Sequence, residues 1–355
     1  MVQLFPPLRP KLSAALRDVT SKNERARAAA AEALGSAPED RAEEARVALR
    51  PLLDDPMSSV RCAAIASLGQ LKDAESVEVI IARFEDGDPT VRQVALIAAG
   101  EIGDERAIPA LERGLRRPDA EVRFQAVASL ALVQGEASIR RLTDLVDDED
   151  HEVRAHLADA LGSLETAAAI PPLRQLLADE DRRVREAASI ALARCGDDSG
   201  ADELVLLLTD RDRCFEAAWA LGELKVEAAK DPLHRLATAL LKPLTVKAAA
   251  AAALVRIGDP RGEPLLGSVL TALRSDARGY AAQLVGELGL ISLAPEVAKL
   301  ADRPRGADPM VVAEALAKLA DRSEDARLAL GRLAERTDAV GERAKALQKA
   351  ASSEG

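Results

Sequence analysis

Arg61, Arg92, Arg123, Arg154 and Arg185 recur at steps of 31 residues, and a row of guanidinium groups at constant spacing could bind a chain of anions. The same row could instead be structural, each Arg pairing with the Asp four residues before it, where one exists, or with an Asp of a neighbouring repeat. A position that recurs in every repeat usually serves the repeat, so the ladder is expected to hold the fold rather than a ligand. The histidines are the next candidates. Only His151 has an acidic neighbour, Glu152, while His156 and His234 stand apart, and a metal centre built across facing helices needs a larger ligand set. No Gly-rich phosphate loop and no nucleophile motif appears. No catalytic residue, cofactor site or metal site is therefore expected. Cys62, Cys195 and Cys214 form no paired motif, which suits buried thiols in a reducing, cytoplasmic compartment.

The elements that must position these residues are visible as a repeat. Asp88-Pro89-Thr90-Val91-Arg92 is followed at steps of 31 by starts at Asp119, Asp150 and Asp181. In each, Asp can accept from the unpaired amides of an opening helix and complements its dipole, and Pro89 suits the first turn. Counting from the Val, apolar residues recur on one helical stripe: Val60, Ala64, Leu68 and Leu71 in one copy, Val153, Leu157, Leu161 and Leu164 in another. Gly69, Gly100, Gly162, Gly222 and Gly286 follow the same position of the stripe, as they would where a neighbouring helix passes close. A regular repeat of this length means a solenoid.

Paired helices are predicted over 8–20 and Glu24–Leu34, 39–54 and 57–71, 75–86 and 89–102, 105–116 and 120–133, 136–147 and 151–164, and 167–178 and 182–194. Beyond Val184 the matching positions become Arg213, Val246 and Ala277, at steps of 29, 33 and 31. A longer first helix, Val226 to Leu241, is expected in the eighth pair. The whole chain, 1–355, reads as a single solenoid: a capping pair at 1–35, regular repeats at 36–195, irregular repeats at 196–305 and capping helices at 306–355. Residues Met1 to Leu12 carry prolines and no long apolar run, so neither a signal peptide nor a membrane span is expected there.

The D-x-x-V-R starts at Asp88, Asp119, Asp150 and Asp181, the ends Leu68-Gly69 and Leu161-Gly162, and the segment Gly103 to Leu111 resemble the HEAT-repeat family, specifically its phycobilisome-lyase-type HEAT-like repeat. The resemblance covers about residues 20–320 and implies an all-α, right-handed α-solenoid of about ten helix pairs whose second helices line a concave groove. It implies fold more than function, because such folds host scaffolds, adaptors and a few enzymes. The HEAT-like di-iron hydroxylases use several His-Glu pairs, of which this chain has one. The HEAT-like DNA glycosylases use a basic cradle with aromatics and a catalytic Asp; Trp219 and Asp159 would fit that reading, but a net charge of −11 supplies no basic footprint for nucleic acid. For the bilin lyases, no residue set here is identifiable as a tetrapyrrole site.

What remains is the face of the second helices that points away from the apolar stripe, at positions 2, 3, 6 and 10 after the Val. Four of the six aromatic residues fall on it: Phe124, Phe215, Trp219 and Tyr280. With His156, Asp159, Glu216, Glu223, Gln283 and Glu287 they form the expected partner-binding set. Phe215 and Trp219 lie one helical turn apart and should stand beside a smooth surface of Ala248, Ala249 and Ala252, with Tyr280 beyond. One reading is that a partner's helix or peptide segment inserts there, guided by Glu216, Glu223 and Glu287; the other is that the aromatics fill a gap left by the register slip. The acidic turns Glu85–Asp88, Asp147–Asp150 and Asp179–Asp181 cap helices or attract a basic segment. The expectation is a non-enzymatic protein-binding scaffold or adaptor, with no nucleic acid and no membrane insertion. The alternative is a lyase-like enzyme or subunit handling a bilin or other small ligand.

Overall fold

The computed structural model describes residues 12–302 and 306–353, so the reading of Met1 to Lys11 and the predicted start of the first helix at residue 8 lie outside the described residues. Among those described, every regular element is helical. The elements alternate as the repeat requires: a short first helix, often opened by a 3-10 turn, then a longer second helix. Second helices occupy Glu24–Leu34, Ser58–Gln70, Pro89–Ile102, Ala120–Gln134, His151–Gly162 and Arg182–Arg194, then Cys214–Glu223, Leu244–Arg256, Ser275–Leu288 and Pro309–Leu319. Successive second helices pack on one another, 58–70 on 89–102 and 89–102 on 120–134, then 214–223 on 244–256 and 244–256 on 275–288. Sequential packing of this kind is the solenoid that the period requires. Two compact units can be distinguished, the first running to Ala191 and the second starting at Leu192.

The starts behave as the sequence suggests. Asp88, Asp119, Asp150 and Asp181 each accept from the backbone amide two residues on, at 2.8 to 3.1 Å, which satisfies a donor that the helix itself leaves unpaired. The glycine of the stripe is required by close approach. A Cβ at Gly100 would sit 2.9 Å from the Cα of Ser129, and one at Gly222 would sit 2.8 Å from the Cα of Ala253. Ser129 completes that first contact by donating from Oγ to the carbonyl of Leu96 at 2.8 Å, fully buried.

The arginine ladder resolves into one motif. Of the two partners open to them, Arg61, Arg123 and Arg154 take the Asp of the following repeat. Arg61 grips Asp86 with Nε and Nη2 at 3.0 and 2.8 Å, Arg123 grips Asp148 at 2.8 and 2.8 Å, and Arg154 grips Asp179 at 2.6 and 2.9 Å. The remaining Nη1 donates to a carbonyl six residues back, Asp55 for Arg61 and Asp148 for Arg154. Arg92 keeps that backbone bond, to the carbonyl of Asp86 at 2.8 Å, but the position 25 residues on is Arg117 and offers no carboxylate. Each bridged Asp also accepts from the amide of the next cap residue, Asp88, Asp150 or Asp181. The acidic turns are thus largely consumed by the fold, and the Asp four residues before Arg92, Arg123, Arg154 and Arg185 is the cap instead.

In two places the elements differ from expectation. The first helix of the eighth pair stops at Thr238, because Ala239 turns to extended backbone at φ −62° and ψ 128°. Pro243 lies four residues beyond and disfavours helical backbone in the residue before it. Leu240 and Leu241, predicted inside that helix, are therefore in a loop. In addition, the thiols are not uniformly buried: Cys214 is, but Cys62 and Cys195 are half-buried.

Candidate partner-binding face

The expected site residues fall in two groups, one in each unit. In the first, Phe124 on the 120–134 helix and His156 on the 151–162 helix stack with ring centroids 3.7 Å apart and an interplanar angle of 18°. Both are half-buried, and Asp159, one turn on from His156, is exposed. Burial pushes the His156 imidazole below its ordinary value, with the Asp159 charge pulling weakly the other way. Its Nε2 is buried and makes no hydrogen bond among the described residues. A neutral ring stacked on Phe124 is the form this environment favours.

In the second unit the aromatics converge. Phe215 and Tyr280 come from the helices on either side of 244–256, yet their ring centroids lie 5.9 Å apart with the rings tilted by 40°. Two rings can meet over an intervening helix only where its side chains are as small as alanine. Ala248, Ala249 and Ala252 supply that surface and are themselves buried, and Tyr280 packs against the cluster holding Ala248 and Ala252. The alanine surface is thus packed rather than open. Ala187 and Ile190 on the 182–194 helix also point away from the stripe and are buried.

Phe215 and Trp219 remain 37% and 41% exposed. The carboxylates around them are differently placed from the expectation. Arg194 pairs with Glu216 at 2.9 Å and Arg256 with Glu223 at 2.9 Å, so neither Glu is a lone guide for a cation. Glu287 instead accepts from Gln283 Nε2 at 2.9 Å. Burial, and then the Glu287 charge, push the Tyr280 phenol up, with Arg256 opposing. Arg194 and Arg256 were missed as site residues, although Glu223 and Arg256 occupy the same register position in adjacent second helices and could have been matched on that ground.

Beyond Tyr280 lies a cavity of about 440 Å³, lined among others by Gly279, Tyr280, Gln283, Ala307 and Val311. Gly279 forms part of its wall, since a Cβ there would meet only Ala307 Cβ, at an ordinary 3.8 Å. Exposed aromatics, neutralised charge pairs and an adjoining cavity can accept an apolar segment with a side chain entering beside Tyr280. Among the described residues no three His, Cys, Asp or Glu side chains gather closely enough to hold a metal ion. Among the same residues no helix is long and apolar enough to cross a membrane.

The packed helix pairs, glycine contacts and Arg–Asp ladder define an α-solenoid protein. The sequence matches the HEAT repeats family over residues 9–87, 77–155 and 139–214, and the PBS lyase HEAT-like repeat over 214–238 and 246–271. The chain belongs to the HEAT-repeat family. Among solved structures it is similar to one described as the Kap95:Nup1 complex, at 13% identity and a TM-score of 0.63, covering 96% of this chain and 56% of that one. It is also similar to the complex of CpcE and CpcF of phycocyanin lyase from Nostoc sp., at 22% identity and a TM-score of 0.42, covering 76% of this chain and 99% of that one. No curated protein matches the sequence.

Proposed function

We propose that this chain is a non-enzymatic scaffold or adaptor, working in the cytoplasm, that holds a segment of a partner protein on the second-helix face of its second unit. The observation that carries the reading is the exposure of Phe215 and Trp219 on one helix, with Phe215 against the Tyr280 ring that lines the cavity. Aromatic anchors beside a concave site carry a large share of binding energy in protein interfaces, and leaving them in water has no structural benefit here. The Glu216–Arg194 and Glu223–Arg256 pairs would rim the contact, and the segment would be apolar at its centre. Phe124, His156 and Asp159 offer a separate and smaller contact surface in the first unit.

The test is capture from native cell extract, comparing the wild-type chain with a Phe215→Ala/Trp219→Ala variant by mass spectrometry. Circular dichroism should show unchanged helicity, because both side chains are partly in solvent. A protein retained by the wild type and lost from the variant supports this face; identical protein sets from both would remove it. A second reading, a subunit handling a bilin or other small ligand, draws on the PBS lyase HEAT-like match, which falls on the helices carrying Phe215, Trp219 and the alanine surface. A chromophore that co-purifies with the chain and is lost from the same variant would favour it, and a colourless preparation would not.

A further inference from the structure

Three leucines of the second unit are almost wholly in water: Leu240 at 90%, Leu241 at 95% and Leu273 at 97% exposure. They belong to two equivalent loops. Leu240 and Leu241 join the helix Lys230–Thr238 to Leu244–Arg256, and Leu273 joins Gly262–Leu270 to Ser275–Leu288. The two first helices contact one another, as do the two second helices, so the loops are neighbours on one edge of the unit.

Both loops are pinned from behind by a cation. Lys242 Nζ donates to the carbonyl of Asp210 at 2.9 Å and to the Cys214 thiol at 3.2 Å. Arg278 Nη1 donates to the carbonyls of Ala272 at 2.6 Å and Leu273 at 3.2 Å. The leucines are therefore held out on fixed backbone rather than folded back. The two segments that carry them are themselves basic. Segments 234–247 and 268–278 hold Arg235, Lys242, Lys247, Arg274 and Arg278 against a single acid, Asp276, in a protein of net charge −11.

We infer that this edge is a peripheral docking surface for an anionic lipid layer, into which Leu240, Leu241 and Leu273 dip while Arg235, Lys247 and Arg274 meet the headgroups. Separate protruding tips, each clear of its own chain, do not wall a groove for a partner side chain, whereas a lipid interface takes isolated apolar protrusions without shape matching and rewards basic residues behind them. This is contact with a surface and not a span, and it is independent of the aromatic face.

The test is co-sedimentation of the full chain with vesicles of phosphatidylcholine containing about 30% phosphatidylserine, against phosphatidylcholine alone. The wild type should bind the anionic vesicles, less at high salt. Leu240→Ser/Leu241→Ser/Leu273→Ser should weaken binding about ten-fold or more with unchanged circular dichroism, since these side chains make little contact with the rest of the chain. Lys247→Glu/Arg274→Glu should weaken it while leaving the leucines in place. Absence of wild-type binding to anionic vesicles, or equal binding by the leucine variant, would overturn the inference. So would loss of a captured protein from that variant without any vesicle binding, which would make the edge a protein contact.

Discussion

The loops that join first to second helix are built differently in the two units. In the first unit three of them are acidic and tied down, with Asp86, Asp148 and Asp179 each gripped by an Arg of the preceding repeat. In the second unit Lys242 and Arg278 hold the loops through backbone carbonyls and a thiol, and the tips are leucines. A carboxylate bridge repeated in register fixes spacing between repeats. The second unit also carries the aromatics that meet across an alanine helix. The contrast lies in what fixes the loops: paired side-chain charges between repeats in one unit, and cations on backbone carbonyls beneath exposed leucines in the other.

The comparison can be broken by removing one cation from each unit. Arg154→Ala leaves Asp179 half-buried without its guanidinium and should destabilise the first unit by roughly 2 kcal/mol, a buried-pair value discounted for solvent screening. Lys242→Ala removes donors to a carbonyl and a thiol only and should lower stability by less, about 1 kcal/mol. Urea unfolding of the two variants measures both, and equal losses would erase the distinction. The ladder also predicts an acid response. Burial raises the Asp86, Asp148 and Asp179 carboxyls, but Arg pairing and the cap amides outweigh it and hold them below the ordinary value. Their contribution is therefore complete above the unfolded Asp value of about 3.9 and is lost as pH falls through the lower folded values. Hydrogen exchange at the amides of Asp88, Asp150 and Asp181 should accelerate relative to other buried amides as these carboxyls protonate.

Smaller effects sharpen the site. Gly279→Leu fills the cavity beside Tyr280 from a helical position with open space, so it should raise stability by up to about 1 kcal/mol while weakening partner capture. Retained capture would place the partner away from the cavity. Smallest is the His156 effect. Its depressed folded value means that the stability it contributes is present above the unfolded histidine value of about 6.5 and declines as pH falls through the folded value. An NMR titration should find His156 protonating below the unfolded histidine value of about 6.5, and protonation above it would contradict the neutral stack on Phe124.

The fold was legible because its determinants are local and repeated: a cap at Asp88, a stripe from Val91, a glycine at Gly100 where only Ser129 can approach. The ladder was half legible, since Arg154 and Asp179 stand 25 residues apart and nothing in one repeat separates that partner from the cap at Asp150. Two features depended on more distant context. Phe215 and Tyr280 meet across the helix of Ala248, Ala249 and Ala252 because rings come from the helices on both sides, which no single helix predicts. Leu240 and Leu241 continue an apolar run from Leu233 and Leu236, so they read as helix, yet extended backbone at Ala239 ahead of Pro243 puts them in solvent.

Trp219 is the single tryptophan of the chain, and it stands in the middle of the proposed contact. Its fluorescence, followed with acrylamide quenching as a captured partner is added to the wild-type chain, tests the central claim most directly. Binding on this face predicts a shift of emission to shorter wavelength and protection from the quencher at saturation. A partner that binds to saturation while Trp219 keeps its emission and its full accessibility would contradict the account.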